Sequence, residues 1–243
     1  MSYMGTGYFG WQIQPDNLTV QELTERALSD ILGESISVVG AGRTDTGVHA
    51  RYYVAHFDSR RGDLANDENL IHRLNGHLPK DIAIASVRRV REDAHARFSA
   101  VSRSYMYHIN TIKNPFDIGY SWFLKGELCV EAMNEAASLL KAYSDFTSFS
   151  KLHSGNKSNI CTVSEAVWRR DGIYLVFTIT ADRFLRNMVR SIVGTLVDVG
   201  FGKKSVADFR DIIEAADRSR AGQSAPAMGL YLTNVEYPDN IYY

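Results

Sequence analysis

The stretch Gly42-Arg43-Thr44-Asp45-Thr46-Gly47-Val48-His49 follows the apolar run Ile36-Ser37-Val38-Val39-Gly40, so it begins where a strand is expected to end. Glycine adopts backbone angles closed to other residues, and Gly42 and Gly47 together can hold Arg43 to Asp45 on a tight turn. Such a turn presents a guanidinium and a carboxylate at one edge of a sheet. An ionised carboxylate there can serve as a nucleophile or a base. An Asp in a turn also commonly bonds its own backbone as an Asx turn, and the loop by itself leaves both readings open. Two further candidates lie far along the chain. Arg190 falls in an apolar segment, 184–199, in which Leu185, Met188, Val189, Ile192, Val193 and Leu196 recur at helical spacing, one turn after Arg186. Tyr105 falls in an alternating segment at about 103–111.

The elements that must carry these residues follow from capping and periodicity. Thr19 with Glu22 three residues on starts a helix whose apolar face is Leu23, Ala27, Leu28, Ile31 and Leu32, and Gly33 closes it. Strands are expected at 35–40 and 51–58, with the motif loop between them. A helix over 66–77 and a strand over 82–90 complete a first half, 1–100. In the second half, 101–243, a strand at 103–111 and a helix at 131–142 precede strands at 162–170 and 173–181. The dipeptide Asp171-Gly172 between that last pair is a strong hairpin signal. Helices at 184–199 and 205–216 and a strand at 229–237 follow. That order is β-α-β-β-α-β with one extra helix, the ferredoxin-like arrangement. The first half repeats it with its opening strand nearly absent, so either a strand lies upstream or a sheet edge is shortened. The expected class is α+β, with two ferredoxin-like halves, mostly antiparallel sheet and a basic cleft, forming one catalytic body.

Composition sets bounds. The 243 residues carry a formal net charge of −1, with 45% hydrophobic and 23% charged residues, ordinary values for a globular protein. No apolar run of about 18 residues and no signal segment is present. Cys129 and Cys161 are isolated, with no ligand spacing around them, so neither a metal nor a disulfide framework is expected and a cytoplasmic location fits. The charge is unevenly spread: residues 1–50 hold two basic and six acidic side chains, whereas 151–190 hold seven basic and three acidic. A nearly neutral chain can therefore still offer a positive surface to a phosphate backbone.

Five segments taken together resemble the TruA family of tRNA pseudouridine synthases. They are the motif loop itself; Gly5-Thr6-Gly7-Tyr8-Phe9-Gly10-Trp11-Gln12; Ala96-Arg97-Phe98-Ser99-Ala100 with Arg103, Tyr105 and Tyr107; Phe184-Leu185-Arg186-Asn187-Met188-Val189-Arg190 continuing to Gly194 and Gly200; and Ala225-Pro226-Ala227-Met228-Gly229-Leu230-Tyr231-Leu232. The resemblance implies an isomerase that breaks the N1–C1′ bond of a uridine, turns the base and joins C5 to C1′, without cofactor or metal. Asp45 is then the nucleophile and Arg190 the guanidinium that keeps it ionised against burial. Tyr105 is the platform for a uridine drawn out of the stack, and Arg43 takes the space that the base vacates. Arg97 and Arg103, with Lys151, Lys157 and Arg183, are candidates for phosphate contact. His49 is expected to be structural, since the reaction needs no second base of that kind. The resemblance further implies tRNA as partner, uridines at tRNA positions 38, 39 and 40 of the anticodon stem-loop as targets, and a homodimer. Two other classes remain compatible with the residues: a non-catalytic RNA-binding protein on ferredoxin-like sheets, and a small-molecule enzyme on the same fold, which would need a closed apolar pocket.

Overall fold

A computed structural model describes residues 1–151, 155 and 157–243. The chain folds as two compact units, Met1–Val101 with Leu232–Tyr243, and Ser102–Tyr231. The class is α+β, as the sequence implies. Among the described residues no helix is long and apolar enough to cross a membrane.

The first unit opens with a two-residue strand, β1 (Ser2–Tyr3), where the sequence offered almost none. Helix α1 (Val20–Leu32) begins as expected: the Thr19 side chain accepts from the Glu22 N–H, and Gly33 ends the helix with φ +70°. Strand β2 (Val38–Gly40) is shorter than the expected 35–40, and the second strand of its pair is β4 (Ala55–Phe57) rather than 51–58. Between them lies an unforeseen β3 (His49–Ala50), which leaves that pair and joins β1 through Tyr3↔Ala50. Helix α2 (Leu70–His77) starts later than position 66 because Asp67 is extended and turns its carboxylate to Arg61 and Arg73. Of the strand expected over 82–90 only β5 (Ile82–Ala83) forms, since its partner β1 offers just Ser2 and Tyr3 for pairing. Beneath these strands Tyr3, Trp11 and Tyr53 pack ring against ring, with Trp11 and Tyr53 centroids 4.2 Å apart.

The second unit is built on β6 (Ser102–Asn110), with β7 (Trp122–Phe123) running parallel to its end. Helix α3 (Val130–Leu139) leads to the hairpin β8 (Val163–Asp171) and β9 (Tyr174–Ala181), which turns at Asp171-Gly172 as read. The strand order is β6-β9-β8, antiparallel. Helix α4 (Met188–Gly200) begins four residues later than the apolar spacing suggested. Asn187 takes φ +65°, a left-handed conformation that a helix interior does not contain, so Arg186 lies before the helix and not one turn behind Arg190. Once begun, α4 is buried on nearly all sides, from Met188 and Val189 to Leu196 and Gly200. Helix α5 (Val206–Glu214) carries a full capping box between Ser205 and Asp208.

Strand β10 (Leu230–Glu236) ends the run of elements. Residues 232–243 belong to the first unit instead of the second. The backbone accounts for this: the N–H groups of Arg51 and Val101 donate to Leu232 and Glu236, and that of Arg91 to Ile241. The Tyr237 hydroxyl also donates to the Ala96 carbonyl at 2.6 Å.

Candidate functional site

In the first unit the loop between β2 and β3 is held from below by the aromatic cluster. The Tyr53 hydroxyl donates to the Gly42 carbonyl at 2.5 Å, and the Tyr3 hydroxyl shares a 2.9 Å bond with Thr44 Oγ1. The Trp11 N–H donates to the Thr44 carbonyl. On the other side of Asp45, the Val48 N–H returns to the Asp45 carbonyl and the Gly47 N–H reaches the Tyr8 carbonyl. The tight turn is thus Asp45 to Val48, with Gly47 at φ +78° in its third position; it is not the Arg43–Asp45 segment expected from the flanking glycines. Gly42 has ordinary backbone angles and open space at its Cβ position. A different glycine is required instead: Gly10, at φ +85°, would place a Cβ 2.3 Å from the Thr44 carbonyl oxygen.

His49 is buried and accepts from the Gly5 N–H through Nδ1 at 3.0 Å. That bond gives it the structural part read from the sequence, closing the loop onto the N-terminal segment. Thr44 is buried, Asp45 half-buried and Arg43 exposed. The braces of the loop come from Tyr3, Trp11 and Tyr53, which leaves the Arg43 side chain on the surface. An acid whose neighbours on both sides are fixed by hydrogen bonds is displayed at constant geometry, which is what preorganised chemistry needs. Arg97 is exposed in this same unit, its guanidinium over the Phe98 ring at 5.5 Å.

In the second unit Tyr105 stands on β6 opposite Ile179, half-buried, with the Phe184 ring edge-on to it at 5.1 Å and 87°. Two residues earlier, Arg103 Nη1 donates to the Asp182 carbonyl at 2.9 Å. Arg190 sits in the first turn of α4 and its Nε–H donates to the Ala225 carbonyl at 2.7 Å, while the Ala225 N–H returns to the Arg190 carbonyl. The segment 222–226 that provides this anchor is itself tied to α4. The Gly222 N–H donates to Thr195 Oγ1, and Asn187 Nδ2 donates to Ser224 Oγ at 2.6 Å. The next residue but one on β6, Tyr107, donates to the Pro226 carbonyl at 2.7 Å. Burial pushes that phenol well above its usual range, opposed by the nearby Arg190 charge, so Tyr107 remains a neutral donor. Lys151 and Lys157 are exposed.

Asp45, Arg43 and Arg97 therefore belong to the first unit, and Tyr105, Arg103 and Arg190 to the second. Reading the sequence for side chains overlooked three contributors: Phe184 against Tyr105, and the Ala225 and Asp182 carbonyls, which aim Arg190 and Arg103. Phe184 and Ala225 stand inside the quoted segments, but a backbone carbonyl has no spelling. Among the described residues no group of three or more His, Cys, Asp or Glu side chains could hold a metal ion. Burial pushes the Cys161 thiol up to about 12, which disfavours a thiolate nucleophile there.

Residues 1–99 and 136–238 match the model of a family described as tRNA pseudouridine synthase. A protein of Bacteroides fragilis called tRNA pseudouridine synthase A is 52% identical over 243 residues, covering 100% of this chain and 96% of the relative. One of the same description from Porphyromonas gingivalis is 53% identical over 245 residues, covering 100% and 97%. A third, from Thermoanaerobacter, is 40% identical over 239 residues, covering 98% and 97%.

Proposed function

Because this chain belongs to the tRNA pseudouridine synthase family, we propose that Asp45 is the carboxylate that attacks its substrate nucleoside. The enzyme isomerises uridine to pseudouridine in tRNA. The N1–C1′ bond breaks, a C5–C1′ bond forms, and the hydrogen lost from C5 is balanced by one gained at N1. Nothing is oxidised and no group is supplied, so the chemistry asks for a carboxylate, a cation to keep it ionised and a surface for the displaced base. We assign the second part to Arg190, aimed by the Ala225 carbonyl, and the third to Tyr105, held edge-on by Phe184. Arg43 fills the space left by the extruded uridine; Arg103 and Arg97 take phosphates. By the same resemblance the targets are uridines 38, 39 and 40 of the anticodon stem-loop, and the enzyme works in the cytoplasm as a homodimer without cofactor or metal.

The observation that carries this reading is the bracing of Thr44 and of the Asp45–Val48 turn, which displays one carboxylate at fixed geometry. Family membership sets aside a non-catalytic RNA-binding role and a small-molecule substrate. The test is Asp45→Asn, which keeps the shape and removes the charge. Incubated with unmodified tRNA transcripts and mapped by carbodiimide-dependent primer stops, the variant should form no detectable pseudouridine. Its tRNA affinity should stay within about tenfold, roughly 1.4 kcal/mol. Substantial turnover by the purified variant defeats the assignment, and stops at other tRNA positions with the unaltered enzyme defeat the choice of targets.

A further inference from the structure

Phe98 is 75% exposed, yet its backbone is held firmly. The Arg97 and Phe98 N–H groups both donate to His95 Nδ1, at 3.1 and 3.3 Å. The Ser99 N–H donates to the His95 carbonyl, and the His95 N–H returns to Ser99 Oγ at 3.0 Å. One residue earlier, the Ala96 N–H donates to His56 Nδ1 at 3.0 Å, and the Tyr237 hydroxyl reaches the Ala96 carbonyl. A single apolar side chain at the surface is normal on any protein. A phenyl ring presented by a loop in which every residue from His95 to Ser99 is hydrogen-bonded is a different case, because the loop could otherwise relax and cover it.

The surroundings of the ring define what it suits. The His95 imidazole lies 4.3 Å from it, centroid to centroid, at an interplanar angle of 36°. The Arg97 guanidinium carbon lies 5.5 Å from the ring centroid, and the His56 ring is 5.0 Å from that of His95. The platform is therefore aromatic and bordered by cationic and imidazole groups. Such a combination matches a nucleobase with its phosphate: the base offers a π face and the backbone offers negative charge.

Resting on the reading of the chain as an enzyme that extrudes a uridine, we propose that Phe98 stacks a second nucleobase of the tRNA, distinct from the uridine that reacts, with Arg97 on the adjoining phosphate. Drawing one base out of a stack disturbs the bases around it; with Arg43 in the vacated space, a protein ring against the open face of another base restores a stacking partner there. Since every base has a π face, the contact is tolerant of sequence, and it acts on affinity and not on the chemical step.

The test uses Phe98→Ala and Phe98→Trp in the full-length enzyme. An exposed side chain contributes little to folding, so both variants should melt with the unaltered protein. Phe98→Ala should raise Kd and KM for a tRNA transcript about tenfold, within the range known for loss of one stacked base, with kcat changed by less than about threefold. Phe98→Trp should restore both constants, and its indole emission, after subtraction of the native tryptophan signal, should be quenched on titration with tRNA. An unchanged Kd for Phe98→Ala, or emission in Phe98→Trp that ignores tRNA, overturns the proposal and leaves the ring to a protein partner. Failure of the unaltered enzyme to form pseudouridine would instead strike the underlying reading. The binding arms need no turnover, so the two failures are separable.

Discussion

Replacing Gly10 with Ala tests how far Asp45 depends on the carbonyl beneath it. The added Cβ would lie 2.3 Å from the Thr44 oxygen, and that oxygen must retreat by about 1.1 Å to reach 3.4 Å, the near edge of ordinary contact. Gly10 also has φ +85°, where a non-glycine residue is strained by about 1–2 kcal/mol. The overpacking adds a further cost of about 1–3 kcal/mol. Gly33 supplies the control: it is left-handed too, at φ +70°, with nothing within 4 Å of its Cβ position. Gly33→Ala should therefore lose about 1–2 kcal/mol in urea denaturation and keep full kcat. Gly10→Ala should lose more stability, and its folded fraction should also be slowed. A displacement of about 1 Å at a reacting group costs on the order of a hundredfold in rate, near 2.7 kcal/mol of barrier. The assay is single-turnover pseudouridine formation, corrected for the folded fraction at the same temperature. If folded Gly10→Ala retains kcat within about threefold of the unaltered enzyme, the Thr44 carbonyl does not set the position of Asp45 and the bracing argument fails.

Two other outcomes follow from the same structure. Arg190→Met leaves the buried Ala225 carbonyl without its charged donor, so it should cost about 1–3 kcal/mol in urea denaturation and abolish turnover; unchanged stability would show that the 222–226 segment holds itself. His56, which accepts from Ala96, has its pKa lowered by burial and by His95, against the opposing charge of Asp58. A lowered folded pKa means that the contribution of neutral His56 is present above about pH 6.5 and lost as pH falls through the folded value. The urea midpoint should decline in that window, and His56→Asn, which keeps an acceptor and does not titrate, should flatten the decline. An equal slope in both proteins would remove His56 as the cause.

What the sequence made legible was whatever is encoded locally. Thr19, Glu22 and Gly33 mark α1, and Asp171-Gly172 marks the long hairpin, because caps and tight turns are settled by a few adjacent residues. The two-residue strands β1 and β3 left no such mark: a period of two cannot be seen in two residues, and their pairing is fixed by distant partners. The start of α4 was misread for a related reason. Phe184 and Leu185 satisfy helical spacing, but Asn187 turns left-handed and Phe184 goes to Tyr105 instead. Among the candidate residues, Asp45, Arg190 and Tyr105 are singled out through family spelling, whereas the supports of Asp45 and Arg190 within their own units are largely carbonyls and hydroxyls. Ala225 and Pro226, and Thr44 through its carbonyl, act through atoms that any residue could supply, so their roles emerge only from geometry. The exposure of Phe98 is equally invisible in a string of letters, where a Phe reads as core.

The grouping of residues 232–243 with the first unit has a consequence for synthesis. Ser102–Tyr231 is continuous in the chain, so every backbone partner it draws from its own span is synthesised before residues 232–243. The unit that displays Asp45 is discontinuous: Leu232, Glu236 and Ile241 accept hydrogen bonds from N–H groups of Arg51, Val101 and Arg91. Those bonds close loops of well over a hundred residues, the kind of contact that forms late and slowly. The loop that carries Asp45, with its braces from Tyr3, Tyr8, Trp11 and Tyr53, is thus synthesised long before the 232–241 segment that completes the hydrogen bonding of its unit.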